Sequence, residues 1–208
     1  MPLNYVTQNI EGWTVRTRDT LLREQPAATK VALKLMREQL KYIVRTMPKR
    51  AVAFLKTVPI YLSPDYPGLP QGGEYHPSET WLKDHGRDPA MAKCVEFHDI
   101  GIFPAEVRRM PVLVIHEMAH AYHDQVLTYE NTDVLDEYKR AMAAHAYDSV
   151  LRSDGKRVKA YAATNVQEFF AESTEAFFGR NDFFPFNRAD LEHYDPDTAI
   201  MLKKVWNR

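Results

Sequence analysis

Two histidines and a glutamate stand at spacings that suit metal-assisted hydrolysis. The sequence reads His-Glu-x-x-His over His116–His120. On a helix, positions i and i+4 lie on one face a turn apart, so the rings of His116 and His120 can both reach one zinc ion. Glu117 falls beside them, where its carboxylate can take a proton from a metal-activated water. The motif therefore predicts a hydrolytic Zn²⁺ site.

The residues around the motif predict a buried helix. Val112–Ile115 are continuously apolar and Pro111 suits a first turn, so we expect a helix from about Met110 to Val126. Two imidazoles and a carboxylate on such a helix are costly unless something binds them. The alternative, an ordinary amphipathic helix with surface histidines, fits this apolar context less well.

A catalytic zinc site usually takes three protein ligands and a water, so a third ligand must come from elsewhere. The metzincin arrangement needs a histidine six positions after His120, where Val126 stands. His123 shares the face of the two histidines but lies almost two turns from His116. We therefore assign His123 to packing or to support of the site.

A later helix, predicted over residues 164–178 and closed by Gly179, carries the better candidate. Glu168, Glu172 and Glu175 stack on one face of it among phenylalanines, and carboxylates on a core-forming helix need partners. Glu168 is the candidate third ligand. We expect Glu175 to belong to an outward charged stripe.

Periodicity and turn signals predict the elements that position these residues. The expected strands or β-prone segments are Ile10–Arg16, Ala51–Leu55, Val58–Ser63 and Lys93–Ile102. The other expected helices are Ala27–Met47, Asp133–Leu151 and a last one near Asp195–Trp206.

Two segments ahead of the metal helix are candidates for substrate binding. The strand within Lys93–Ile102 either offers an open edge to an extended peptide, along Val95–Ile100, or belongs to the core. Pro64–Gly86 is dense in turn signals and is expected to be a loop that walls a cleft. Within it, Glu74–His76 either contact substrate or are solvated loop residues.

The motif and the later segment Glu168-Phe169-Phe170-Ala171-Glu172 together resemble the anthrax lethal factor family of gluzincin metallopeptidases, which includes the clostridial Pro-Pro endopeptidases. The resemblance covers residues 116–178 and implies that Glu168 is the third zinc ligand. It also implies that Tyr161, seven positions earlier, stabilises the tetrahedral intermediate. Glu172 matches the second acid of the segment and is expected to accept the outer N–H of a ligand histidine, His116.

The resemblance also implies a fold. We expect an α+β, zincin-like single domain over residues 1–208, with a small mixed sheet whose edge strand lies beside the His-Glu-x-x-His helix. Residues 1–109 would form an N-terminal α/β lobe. Residues 110–208 would form a mainly helical lobe that holds the zinc site.

The composition of the chain limits the kinds of binding partner that we expect. With 27 basic and 28 acidic residues the net charge is −1, so no basic excess points to nucleic acid or an anionic membrane. No apolar run predicts a membrane span or a secretory signal, and secretion is suggested only by the resemblance. The single cysteine, Cys94, excludes an internal disulfide and a cysteine-based zinc site.

Together these residues predict a zinc-dependent endopeptidase that acts on a peptide or protein substrate. One alternative is a catalytically degenerate zinc-binding peptide-interaction domain, although zinc binding alone requires neither Glu117 nor Tyr161. Two others are a helical domain whose acidic and histidine clusters are coincidental, and an amidase for small molecules.

Overall fold

A tight β-hairpin begins the part of the chain that the structure, a computed structural model, describes: residues 4–68 and 72–207. Its strands are β1 (Tyr5–Ile10) and β2 (Trp13–Arg18). The two residues between them, Glu11 and Gly12, have φ angles of 53° and 97°. Positive φ at both positions is the two-residue turn whose twist matches paired strands, which fixes the register of Ile10 opposite Trp13.

The sheet has five strands in the order β1-β2-β3-β5-β4. The remaining strands of this sheet are β3 (Ile60–Ser63), β4 (Gly72–Tyr75) and β5 (Val95–His98). β3 runs parallel to β2 and β5, while β1 and β4 are antiparallel to their neighbours. β3 and β5 are buried along their whole length, as strands in the middle of a covered sheet must be. β6 (Val150–Leu151) and β7 (Arg157–Val158) form a separate short ribbon.

Helices make up most of the rest of the described chain. Those before the motif are α1 (Asp19–Glu24), α2 (Pro26–Thr46), α3 (Lys49–Leu55), α4 (Glu79–Asp84) and α5 (Phe103–Arg109). From the motif onward they are α6 (Leu113–Tyr122), α7 (Thr132–Ala143), α8 (Val166–Phe178), α9 (Arg188–Tyr194) and α10 (Pro196–Val205). A π-helical turn, His123–Leu127, extends α6.

The core centres on α6 and α8, which pack against each other. Every residue of α6 except His120 is buried, so the helix lies inside the protein on nearly all sides. Gly179, directly after α8, has no side chain where Val112 approaches. A Cβ there would lie 2.5 Å from Cγ1 of Val112, so the absence of a side chain permits the close contact between the two helices.

The C-terminal helices close over this pair. Trp206 is fully buried and its ring stacks on Tyr122 of α6, with centroids 4.2 Å apart. It also stacks on Phe170 of α8 at 5.6 Å, and its indole N–H donates to Oγ1 of Thr174 at 3.1 Å. One residue therefore ties the end of the chain to both central helices.

The result is one domain of mixed α and β structure, as the sequence predicts. In residues 4–68 and 72–207 we find no helix that combines the length and the apolar character needed to cross a membrane. The helices predicted at Ala27–Met47 and over residues 164–178 are confirmed within a few residues.

Several predicted elements are wrong. Ile10–Arg16 spans the hairpin turn instead of forming one strand, and Ala51–Leu55 is helical because it belongs to α3. The helix predicted over Asp133–Leu151 ends at Ala143, and Val150–Leu151 is strand. Pro64–Gly86 is not only loop: it contains β4 and α4, while residues 69–71 lie outside the described chain. The short apolar segment Ala51–Leu55 carries no periodicity that separates strand from helix, which explains that error.

Candidate functional site

The facing sides of α6 and α8 bring three of the predicted site residues together. His116 and His120 lie one turn apart on α6. Glu168 lies in the first turn of α8, where the Asn165 side chain caps the helix by accepting from the Glu168 backbone N–H at 2.8 Å. The cap fixes where α8 begins and therefore where the Glu168 carboxylate points.

The three nitrogen and oxygen atoms that face one another form a nearly equilateral triangle. Nε2 of His116 lies 3.2 Å from Nε2 of His120 and 3.2 Å from Oε2 of Glu168. The third side, from His120 Nε2 to Glu168 Oε2, is 3.5 Å. All three residues are largely shielded from solvent, so their lone pairs converge on one sheltered point. This group can hold a metal ion.

The electrostatics of the triangle agree with a place for a cation. Oε2 of Glu168 has no hydrogen-bond partner within the described chain. Burial disfavours ionised Glu168, but His116 and His120 outweigh that effect and hold its pKa well below the usual range. Burial likewise disfavours the His116 imidazolium, yet its contacts with Glu168 and Glu175 raise the His116 pKa well above normal. The acidic surroundings favour positive charge at this point.

The outer nitrogen of His116 meets Glu175, which corrects two predictions. His116 Nδ1 lies 2.7 Å from Oε1 of Glu175 but 3.8 Å from Oε1 of Glu172. Glu175 is fully buried and does not face solvent. The predicted partner of His116, Glu172, is buried beside it, and burial with Glu175 close by raises the Glu172 pKa. Glu175 is seven positions after Glu168, two helical turns along the same face, which is the signal that could have identified it.

Glu117 lies beneath the edge of the sheet. It is 5 % exposed, and burial raises its pKa although His116 and His120 oppose the shift. β4 passes directly over it at Gly73, where a Cβ would lie 3.1 Å from Cγ of Glu117 and 2.7 Å from Cε1 of Phe97. The missing side chain at Gly73 therefore lets the strand approach the carboxylate.

A cleft runs past these residues in two halves that share Gly73, His116, Glu117 and Tyr161. The first half has a volume of about 310 Å³ and extends over His120 and Glu168 toward Tyr75, Pro77, Tyr129 and Gln167. The second has a volume of about 280 Å³ and extends toward α5 and the segment after α8. Tyr161, on a 3-10 turn before α8, is half exposed and lines both halves.

The strand expected to offer its edge does not do so. β5 is paired on both sides, with β3 and with β4, so the prediction of an open edge along Val95–Ile100 is wrong. The edge strand beside the motif helix is β4, which arises within the segment predicted to be loop. β4 begins with two glycines, and because glycine has a low β propensity the sequence did not predict a strand there.

A buried ion network holds β4 in place. Glu96 of β5 is fully buried and pairs with Arg87 and with Nε2 of His76 at 2.9 Å. Arg87 also reaches Glu74 at 3.3 Å, and Tyr66 donates to Glu96 at 2.8 Å. Glu74, His76 and Glu96 are close enough to hold a metal, but the Arg87 guanidinium already supplies the positive charge. Glu74–His76 were predicted to be loop residues, and of these three His76 has a structural role in this network.

Tyr75 and His123 have packing roles beside the site. Tyr75 donates to Asp124 at 2.5 Å, which ties β4 to the π-helical turn. His123 is fully buried between the rings of Tyr129 and Phe170, and burial lowers its pKa to about 4. His123 therefore packs as a neutral ring, in agreement with the prediction.

No protein-family model, curated protein or solved structure matches this chain.

Proposed function

We propose that this protein is a zinc-dependent endopeptidase of the zincin type. The observation that carries the proposal is the triangle of His116 Nε2, His120 Nε2 and Glu168 Oε2, with sides of 3.2, 3.2 and 3.5 Å. Four-coordinate zinc with nitrogen or oxygen ligands at about 2.0–2.1 Å has ligand-to-ligand distances of about 3.3–3.4 Å. The donor set and its spacing fit that ion.

The chain's own groups perform the proton transfers. When bound, Zn²⁺ supplies Lewis-acid chemistry, polarising a carbonyl and lowering the pKa of water. Glu117 accepts the proton of the attacking water and donates it to the leaving amine. Burial raises the pKa of Glu117, which favours its holding that proton between the two steps. The phenolic O–H of Tyr161 donates a hydrogen bond to the developing oxyanion.

An extended peptide is the substrate class that the cleft favours. Of the described strands only β5 pairs with β4, so the other edge of β4 has backbone groups free to bind a peptide strand. That edge passes over Glu117, and the cleft continues on both sides of the site. A small-molecule amidase would need only one of these halves.

Elemental analysis and peptide cleavage on one sample test the proposal. We expect one zinc per chain and cleavage of a random peptide mixture, read by mass spectrometry, that a chelator abolishes. Glu117→Gln should keep zinc and cleave about 10²–10⁴-fold more slowly. Glu38→Gln, at an exposed position on α2, is the matched control. Full activity in Glu117→Gln would show that Glu117 is not the base. Zinc binding without cleavage would contradict the peptidase activity. A chain that binds no zinc would contradict both the metal site and the peptidase activity.

A further inference from the structure

The second half of the cleft is an acidic pocket with apolar walls. We call it the acidic pocket and define it by Glu106, Arg109, Met110, Leu113, Glu172, Asp182 and Phe183, together with the Gly72–Gly73 backbone. Its volume is about 280 Å³, and it opens onto His116, Glu117 and Tyr161. A side chain of a bound peptide next to the bond under attack can enter it.

The acidic pocket holds more carboxyl groups than cationic groups. Glu106, Glu172 and Asp182 bring three carboxyl groups against the single guanidinium of Arg109. That cation is already engaged, since its side chain contacts Glu106 at 2.5 Å and Asp182 at 3.2 Å. Arg109 lies with half of its side chain in solvent, while Asp182 is 3 % exposed. The two inner carboxyl groups of the pocket are those of Asp182 and Glu172, which is 1 % exposed.

Two of the inner oxygens lack partners. Oε2 of Glu172 and Oδ1 of Asp182 have no hydrogen-bond partner in residues 4–68 and 72–207, although Glu172 is 1 % and Asp182 3 % exposed. The carboxylate nearest the outer nitrogen of His116 is that of Glu175, at 2.7 Å, while Glu172 lies 3.8 Å from it. Buried carboxyl oxygens without donors are costly, so this arrangement points to a ligand that brings N–H groups and positive charge.

The walls suit a long basic side chain. Met110, Leu113 and Phe183 offer apolar surface in the same pocket as the carboxyl groups of Glu172 and Asp182. Lysine and arginine combine an aliphatic stem with a cationic head, so the stem can pack on these walls while the head reaches Glu172 and Asp182.

We propose that the acidic pocket selects substrates with a lysine or arginine side chain adjacent to the cleaved bond. This inference rests on the proposed peptidase function. An acidic substrate side chain is the competing possibility because Arg109 is present. Its guanidinium is occupied by two carboxylate partners, and the one acid of the pocket that remains, Glu172, offers an anionic side chain no cationic partner.

Matched peptides that differ only in lysine, norleucine or glutamate at that position test the proposal on the zinc-loaded protein. We expect kcat/KM for the lysine peptide to exceed that for norleucine by about tenfold or more, with glutamate the poorest. Asp182→Asn should lower the ratio of kcat/KM for lysine to that for norleucine by about tenfold, which removes most of the lysine preference. Asp136→Asn, exposed on α7, is the matched control. Equal cleavage of the lysine and norleucine peptides, or a glutamate preference, would overturn the proposal.

Calorimetry with the Nα-acetyl hydroxamates of lysine and norleucine separates the pocket from the catalysis. The hydroxamate group chelates zinc, so binding needs the metal site but not turnover. A lysine preference that Asp182→Asn abolishes supports the pocket even if no peptide is cleaved, in which case only the peptidase function fails. Equal affinities overturn the pocket while leaving the peptidase intact. A zinc-free protein overturns both.

Discussion

At the residue scale, the site depends on which oxygen or nitrogen each side chain turns to its neighbour. His116 uses Nε2 toward His120 and Glu168 and keeps Nδ1 for Glu175. A carboxylate on the outer nitrogen orients the ring and makes the inner nitrogen a better metal ligand. In this structure Glu175 is the carboxylate nearest to that outer nitrogen, while Glu172 lines the acidic pocket.

Glu175→Ala should therefore weaken zinc binding about 10–100-fold, because the His116 ring loses the group that orients it. Glu172→Ala is the matched control on the same helix and should change zinc affinity less than about threefold, since its nearer oxygen is 3.8 Å from the ring. Competition with a chromogenic chelator measures both affinities. A larger loss in Glu172→Ala than in Glu175→Ala would reverse the assignment.

Tyr161→Phe removes one hydroxyl and keeps the ring that lines the cleft. Burial raises the pKa of Tyr161, so the phenol stays protonated at neutral pH and can donate to an oxyanion. Loss of one such donor should lower kcat about 10²–10³-fold with zinc content unchanged. Tyr194→Phe, a half-exposed tyrosine on α9, serves as the control in the same steady-state assay. An unaltered rate in Tyr161→Phe would demote the residue to packing.

At the scale of elements, β4 determines how the sheet meets the site. Its edge lies over Glu117 because Gly73 has no side chain, and the Arg87 network holds its other end against β5. The strand thus depends on one small residue and one buried set of charges.

Gly73→Ala should disturb both stability and activity. The new methyl group would meet Phe97 and Glu117 at 2.7 and 3.1 Å, so strand or side chains must shift. We expect a loss of about 1–3 kcal/mol in unfolding free energy and a clear fall in kcat/KM. At Gly101→Ala, the control, the new Cβ meets only the Asp99 side chain, at 3.2 Å. Wild-type behaviour of Gly73→Ala in thermal unfolding and turnover would show that β4 does not approach Glu117 so closely.

Glu96 should make the sheet edge sensitive to acid. Burial opposes ionisation of Glu96, but His76 and Arg87 outweigh it and lower its pKa from 4.5 to about 2. A depressed folded-state pKa stabilises the protein fully above the unfolded-state value and loses that effect as pH falls toward the folded-state value. The shift corresponds to about 3 kcal/mol at neutral pH.

Denaturant unfolding of wild type and Glu96→Gln across pH 2–7 checks this linkage. The difference in unfolding free energy should be about 3–5 kcal/mol at pH 7, since Gln leaves the buried Arg87 with the partly exposed Glu74 as its remaining anionic partner. It should shrink as pH falls from about 4.5 toward 2. Glu192→Gln on α9, an exposed glutamate, should show no such trend. A difference independent of pH would contradict the ionised state of Glu96.

At the scale of the whole molecule, the site joins the two helices on which the core is built. His116 and His120 come from α6 and Glu168 from α8, and Trp206 ties the C-terminal end of the chain to both helices. A ligand that binds between these helices is therefore expected to stabilise the whole folded domain against unfolding.

Removal of the metal should lower the melting temperature. Zinc at a free concentration about a thousandfold above its Kd adds roughly 4 kcal/mol, because it binds the folded chain only. Scanning calorimetry with zinc and with chelator measures the effect. Glu168→Ala is the control, and its melting temperature should respond much less to either addition. An identical response of wild type and variant would show that the metal binds elsewhere.

Local residues determined much of this site. His116, Glu117 and His120 are placed by helical periodicity, and Asn165 starts α8 so that Glu168 lies in its first turn. The burial of α6 was also predictable from the sequence, since a helix that is apolar on nearly all sides must lie in the protein interior. These features depend on neighbours a turn or two apart, which a sequence displays directly.

Tertiary structure alone decided the rest. Which glutamate meets His116, which strand forms the sheet edge and which carboxyl groups remain without partners all depend on contacts between residues far apart in the chain. β4 is a strand because β5 pairs with it, although its Gly-Gly start argues against one. The acidic pocket exists because the segment after α8 brings Asp182 beside α5. Local propensity is weak beside packing, so these outcomes are set only when the core assembles.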